Sequence, residues 1–207
     1  MKVLMLNGSS RPHGCTDTAL REVAAALDGF GIESEILWLG NDPVRDCTAC
    51  GTCGKKPGRC VFDDDIVNRI IEKARECDGF VFGSPVYYAH PSGRILTVLD
   101  RVFYAGKDAF SHKPAAAVVS ARRAGTVASV DVLNKYFTIS QMPVVSSTYW
   151  NMVHGSVPGD VALDEEGLQT MRNLGKNMAW LLQAVALGRA QIPVEPREKR
   201  VYLNLIR

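Results

Sequence analysis

Several common signatures are missing from this sequence, and each absence removes a class of function. No Gly-Lys-Ser/Thr closes a glycine-rich loop, which excludes a nucleoside-triphosphate P-loop. The G-x-G-x-x-G fingerprint of dinucleotide sites also fails, because Ser10 stands where its second glycine belongs. No acidic residue ends the second β-type run, Ile36 to Leu39, so nothing there is placed to hold a ribose hydroxyl. Charge of either sign is not in excess: 24 Lys plus Arg face 22 Asp plus Glu. That balance excludes a strongly basic nucleic-acid surface and the acidic surface of a typical small electron carrier. There is no long apolar run, and Met1-Lys2 leads straight into a strand without a signal segment. A cytoplasmic chain with neither membrane nor nucleic acid among its partners is therefore expected. His90 and His154 have no partner at ligand spacing, so neither is expected to bind a metal. In a reducing cytosol the six cysteines stand for metal, redox chemistry or packing rather than disulfides.

What is present starts with Lys2 to Leu20. Val3 to Leu6 is an apolar run that reads as a strand buried on both faces. Gly8 breaks it, and a loop of small, polar and basic residues follows: Ser9, Ser10, Arg11, Gly14, Thr16 and Thr18. From Ala19 the residues Leu20, Val23, Ala24 and Leu27 share a helical face. Strand, hydroxyl-rich loop and helix together aim backbone N–H groups and a helix dipole at an anion. Arg11 adds a planar fork suited to phosphate. Without the P-loop and dinucleotide features, this cradle suits the phosphate of flavin mononucleotide, held mainly by neutral donors. Two other readings stand beside it. Cys15 and Arg21 have the Cys-x5-Arg spacing of a phosphatase loop, but Cys15 lies a full loop beyond the strand and Arg21 falls inside the helix. The plainer alternative is an ordinary polar connection.

At 207 residues the chain has enough length for a substantial single core. Residues 1–190 are expected to form one domain, with a Cys-rich loop over 47–60 and a tail over 191–207. β-type runs alternate with helix-period runs, the pattern of a parallel sheet covered on both faces. Strands are predicted at about 34–39, 79–83, 115–120 and 144–148 after the first. Helices are predicted at about 64–77, from 92, at 127–138 and at 164–187. Asp63, Asp64 and Asp65 are expected to cap the first of these helices. The result is an α/β, doubly wound, five-stranded sheet with ligands beyond the carboxyl ends of its strands. Two exits add to the cradle: Ser84-Pro85-Val86-Tyr87-Tyr88-Ala89, with flat aromatic surface, and the basic Ala121-Arg122-Arg123-Ala124-Gly125. A third, Tyr149-Trp150-Asn151 to His154-Gly155, is expected to be a subunit or substrate wall. In the tail, Pro193 and Pro196 stop any helix, and 201–206 reads as a short β-type segment that docks on a sheet edge or neighbouring subunit.

These motifs carry a resemblance. Gly8-Ser-Ser-Arg-Pro-His-Gly-Cys-Thr16, Ser84-Pro-Val-Tyr-Tyr88 and Leu99-Asp-Arg101 together resemble the flavodoxin-like NAD(P)H-dependent FMN reductases over about residues 1–155. The resemblance implies that Ser9, Ser10, Arg11, Cys15 and Thr16 hold the phosphate. It implies that Pro85, Val86, Tyr87 and Tyr88 lie along the isoalloxazine, with Ala121, Arg122, Arg123, Ala124 and Gly125 on its other edge. It further implies a homodimer or homotetramer with flavin near the interface.

The second strong pattern is Cys47-x2-Cys50-x2-Cys53-x6-Cys60. Successive x2 spacings with a remote fourth cysteine suit the corners of a cubane cluster, whereas zinc usually takes two separated Cys-x2-Cys knuckles. Gly51, Gly54 and Gly58 let the backbone wrap an inorganic core, which is expected to order a loop poor in apolar residues. The placement resembles that of iron–sulfur flavoproteins in the same superfamily. A [4Fe–4S] cluster leads, ahead of an empty or redox-thiol loop and of zinc, and Cys77 reads as packing. The function expected is an FMN oxidoreductase that takes electrons from transiently docked NAD(P)H. It passes them to a quinone- or flavin-like acceptor or to the cluster, with no certain catalytic side chain. The alternative is a non-enzymatic electron carrier with ferredoxin-type partners.

Overall fold

The computed structural model describes residues 1–198 and 201. Its first half runs β1 (Lys2–Asn7), α1 (Cys15–Asp28), β2 (Glu33–Trp38), α2 (Thr52–Lys55), α3 (Val67–Arg75), β3 (Gly79–Tyr87) and β4 (His90–Pro91). The second half runs α4 (Gly93–Gly106), β5 (Ala115–Ala121), α5 (Thr126–Ile139), β6 (Met152–His154), α6 (Pro158–Ala162) and α7 (Glu165–Gln191). Five strands pair in parallel in the order β2-β1-β3-β5-β6, and β4 turns back on β3 as a two-residue antiparallel partner. The order reverses at β1, which sends successive crossovers to opposite faces and leaves a crevice at the carboxyl edge.

Both faces of the sheet are buried because alternate residues of each strand enter different cores. Leu4, Leu6, Phe80, Phe82, Ala117 and Val119 pack with Ile70 and Ile71 of α3, Val98 and Val102 of α4, and Leu133 of α5. Val3, Met5, Val81, Ala116 and Val118 pack instead with Leu20 and Val23 of α1 and Met171, Leu174 and Met178 of α7. Cys77 is buried in the first core, as packing. Gly83 lets β3 press against α1: a Cβ there would lie 2.8 Å from Leu20 Cδ1 and 2.9 Å from Thr16 Cγ2.

The element boundaries depart from the sequence reading in four places. The fifth strand is not at 144–148. Val144 makes one isolated bridge to Ala115, with Val145 N donating to the Ala115 carbonyl at 2.8 Å. The chain then leaves the sheet for α7, where Ser147 Oγ donates to the Thr170 carbonyl at 2.6 Å and Asn177 to that of Ser146 at 2.8 Å. It rejoins the edge at Met152–His154, so Tyr149 and Trp150 precede the strand instead of following it. Second, β3 continues through Pro85 to Tyr87, because Val119 and Ser120 of β5 extend alongside Ser84 and Pro85 and β4 then pairs with Val86 and Tyr87. Third, α1 begins at Cys15, earlier than the apolar stripe suggests. Fourth, α3 begins at Val67, and only Asp65 of the three aspartates accepts a helix N–H, from Val67 at 3.1 Å. The acids are held by arginines: Asp63 by Arg59, Asp64 by Arg45 and Asp65 by Arg101. The β-type segment expected over 201–206 lies outside the described residues, Val201 apart.

Candidate functional site

The loop after β1 is built around Asn7, which is fully buried at the end of the strand. Its Oδ1 accepts from Ser9 N at 3.0 Å and its Nδ2 donates to the Pro12 carbonyl at 3.2 Å. Ser9 Oγ in turn accepts from Arg11 N at 3.1 Å. From outside, Trp38 Nε1 donates to the Ser9 carbonyl at 2.8 Å and Asn41 Nδ2 to that of Ser10 at 3.0 Å. Gly14 is the N-cap of α1, and no side chain caps the helix. The first N–H groups of α1 are therefore free to meet an anion. The loop is set by the fold before any ligand arrives.

Three further segments close on that helix terminus. Ser9, Arg11, Gly14, Cys15 and Thr16 line a cleft of about 280 Å³ together with Pro85, Val86, Tyr87, Ser120, Ala121 and Arg122, and with Gly155 and Ser156 after β6. Thr16 Oγ1 and Ser120 Oγ are hydrogen-bonded at 2.8 Å, tying the α1 terminus to the end of β5. Cys15 Sγ donates to the Gly155 carbonyl at 3.6 Å, and burial pushes the thiol's pKa up. A thiol held protonated is a poor nucleophile, and Arg21 is engaged by Asp17 at 2.7 Å. The phosphatase spacing therefore has no matching geometry.

Of the residues expected at the cofactor, Ser10, Tyr88, Arg123, Ala124 and Gly125 do not line this cleft. Ser10 offers its carbonyl to Asn41, and Tyr88 stands exposed at the β3–β4 turn with φ 51°. Gly125 has φ 89°, and a Cβ there would fall 2.4 Å from Ala89 Cα, so this glycine holds the two loops together. The carbonyl of Arg123 is 3.1 Å from His154 Nε2.

The cysteine loop forms a second site. Cys47, Cys50, Cys53 and Cys60 all line one pocket of about 130 Å³, joined by Phe62, Arg101 and Tyr104. Among the described residues no three potential ligands converge at single-ion distance. Cys50 is exposed, and the Thr52 hydroxyl and N–H lower its pKa. Cys60 is fixed by Asn68, which accepts from Cys60 N at 2.8 Å and donates to its carbonyl at 3.0 Å. Arg101 Nη2 lies 3.4 Å from Cys60 Sγ. Burial disfavours the arginine's charge, but the bonds to Asp65 and Cys60 outweigh it and keep its pKa above the ordinary value.

Residues 1–156 match the family described as NADPH-dependent FMN reductase. The chain belongs to that family. An iron–sulfur flavoprotein of Methanocaldococcus jannaschii is 33% identical over 195 residues, covering 89% of this chain and 99% of the relative. An iron–sulfur flavoprotein of Methanosarcina thermophila is 25% identical over 194 residues, covering 91% and 99%. The solved structure of a flavodoxin from the domain Archaea superposes with a TM-score of 0.59 at 12% identity, covering 88% of this chain and 99% of that one. The fold is flavodoxin-like. For this FMN reductase family member, sequence reasoning assigned no site role to Asn7, Ser120, Ser156 or Arg101. Asn7 had a signal, being the polar residue that ends an otherwise apolar strand. Among the described residues no helix is long and apolar enough to cross a membrane.

Proposed function

We propose that the protein is a cytoplasmic FMN-dependent oxidoreductase. In this reading it takes electrons from NAD(P)H and passes them to a quinone- or flavin-like acceptor or to a [4Fe–4S] cluster. The observation that carries it is the convergence of the strand exits after β1, β3, β5 and β6 on the uncapped terminus of α1. The donors there fit a flavin mononucleotide: hydroxyls from Ser9 and Thr16, free helix N–H groups, and the Arg11 guanidinium for the phosphate. Bound FMN supplies the redox chemistry, accepting a hydride and releasing electrons in pairs or singly. The chain's part is to bind and orient. Arg11 and the α1 N–H groups hold the phosphate dianion, while Pro85, Val86 and Tyr87 give the flat wall and Ala121 and Arg122 the opposite edge. Ser10, Tyr88, Arg123, Ala124 and Gly125 stand outside the lining of the cleft. No side chain in the cleft is set as a general acid, and nicotinamide docks transiently because the chain has no second nucleotide fingerprint.

The four thiols at one pocket fit a cubane, whose ligands sit at separate corners. A cluster there supplies single-electron steps. A second reading, a carrier serving ferredoxin-type proteins, is favoured by the surface position of Cys50. Anaerobic purification tests both cofactors. FMN rather than FAD should be released on denaturation, with about four irons and four sulfides per chain. In Cys50→Ser the iron should be lost while FMN stays. Protein with stoichiometric FMN and no iron, never exposed to air, would leave a plain FMN reductase. Slow NAD(P)H oxidation with fast ferredoxin coupling would select the carrier, and sedimentation tests the proposed homodimer or homotetramer.

A further inference from the structure

Arg101 is 2% exposed, in the wall of the cysteine pocket. Arginine is almost never buried so fully unless it is paired. Its Nη1 donates to the Asp65 carboxylate and to the Arg45 carbonyl at 3.0 Å. Its Nη2 donates to the Phe62 carbonyl at 3.3 Å and to Cys60 Sγ at 3.4 Å. The remaining N–H, on Nε, is buried without a partner. The ion pair with Asp65 accounts for one of these contacts. It does not account for a guanidinium spending a donor on sulfur, a weak acceptor when protonated, or for an idle buried N–H. Both observations fit a pocket whose sulfur carries negative charge.

We propose that Arg101 is a positioning residue of the cysteine site: it donates to the Cys60 thiolate and, with Asp65 as counterweight, sets the reduction potential of the cluster. The inference rests on reading Cys47, Cys50, Cys53 and Cys60 as cluster ligands. Taking up one electron adds one negative charge to the cluster. A cation held beside it therefore favours the reduced form, and a hydrogen bond to a ligating sulfur acts in the same direction. Asp65, 7% exposed by its side chain, opposes that field from the far side of the guanidinium. Low-dielectric surroundings enlarge both effects. The two partners thus have opposite signs of influence, which a purely structural ion pair would lack.

The test is a dithionite titration, followed by paramagnetic resonance, of anaerobically purified full-length protein, with iron and sulfide analysis of every sample. Arg101→Gln should keep its cluster but make reduction at least tenfold less favourable, about 59 mV for a one-electron couple. Asp65→Asn should shift the potential in the positive direction. Arg101→Lys, which keeps the charge without the planar fork, should fall between wild type and Arg101→Gln. If Arg101→Gln does not assemble, Asp65→Asn decides alone, and an unmoved or more negative potential overturns the proposal. Wild-type protein without iron fails the cluster reading itself. Wild-type protein with a cluster, and variants whose potentials do not move, fails the role of Arg101 alone.

Discussion

Replacing Arg11 by alanine isolates the phosphate contribution of the cradle. The Arg11 side chain is exposed, and its bonds within the loop come from the backbone: its N–H donates to Ser9 Oγ at 3.1 Å and its carbonyl accepts from Gly14 N at 3.3 Å. The loop is held by Asn7, Trp38 and Asn41, so truncation at Cβ leaves its shape in place. A hydrogen bond to a charged group contributes about 1.5–3 kcal/mol. At about 1.4 kcal/mol per decade, FMN should bind roughly 10- to 150-fold more weakly in Arg11→Ala. Because the guanidinium faces solvent, the lower end applies at physiological salt, and the gap should narrow as salt rises. The assay is quenching of FMN fluorescence by apoprotein at low and high ionic strength, with a melting curve of each apoprotein as a control for folding. Arg21→Ala, which removes a charge already bound to Asp17 and outside the cleft, should leave affinity unchanged. An unaltered dissociation constant for Arg11→Ala at low salt would refute phosphate binding at this loop.

Two further outcomes are expected. Gly83→Ala places a Cβ against Leu20 and Thr16, so overpacking should destabilise the fold by about 1–3 kcal/mol and weaken FMN binding by displacing Thr16. Denaturant unfolding and FMN titration measure the two effects, and a neutral variant sinks the close-approach argument. Glu35 bonds Lys73 and Lys2, which hold its pKa below the usual range, so its stabilisation is present above the unfolded pKa near 4.3 and fades as pH falls through the lowered folded value. Glu35→Gln should be less stable than wild type at neutral pH, with the gap closing only below about pH 4. A gap that stays constant into that range contradicts the assignment.

The parallel strands and their helices were legible because each is a local, strongly periodic run. Leu4 and Leu6 enter one core and Val3 and Met5 the other, so a continuous apolar run had to mean burial on both faces. The fifth strand was misplaced for a reason local sequence cannot supply. Val144-Val145 has strand chemistry and does pair, but only at one bridge. Whether the chain stays on the sheet there is settled by Ser146, Ser147 and Thr148 finding partners on α7, more than twenty residues away in sequence. The cradle was readable from its glycines and hydroxyls. The residues that hold it from outside, Trp38 and Asn41, were hidden in a strand and a loop with no pattern of their own.

The cysteine loop divides the same way, and the division bears on the cluster reading proposed for it. Its cysteine spacing is local and therefore visible. Its anchoring is not: Asp65 and Arg101 are 36 positions apart. A signal did exist on α4, since Arg101 follows Val98 by one helical turn and so falls on the face that buries Ile95, Val98 and Val102. A charge on an apolar stripe demands a counter-charge, but only the fold selects one acid from three neighbours, giving Asp65 to Arg101 while Arg59 and Arg45 take the other two. The expectation that only a metal orders this loop therefore needs dividing. At its end, Cys60 is held by Asn68 on α3, and Gly58 N donates to the Ala105 carbonyl at 2.7 Å. The stretch carrying Cys47, Cys50 and Cys53 has the single turn of α2 and a left-handed Ala49 and Gly51, with few tertiary bonds among the described residues. On the cluster reading proposed above, metal binding would bring Cys47, Cys50 and Cys53 together with a Cys60 that Asn68 holds and that Arg101 already adjoins.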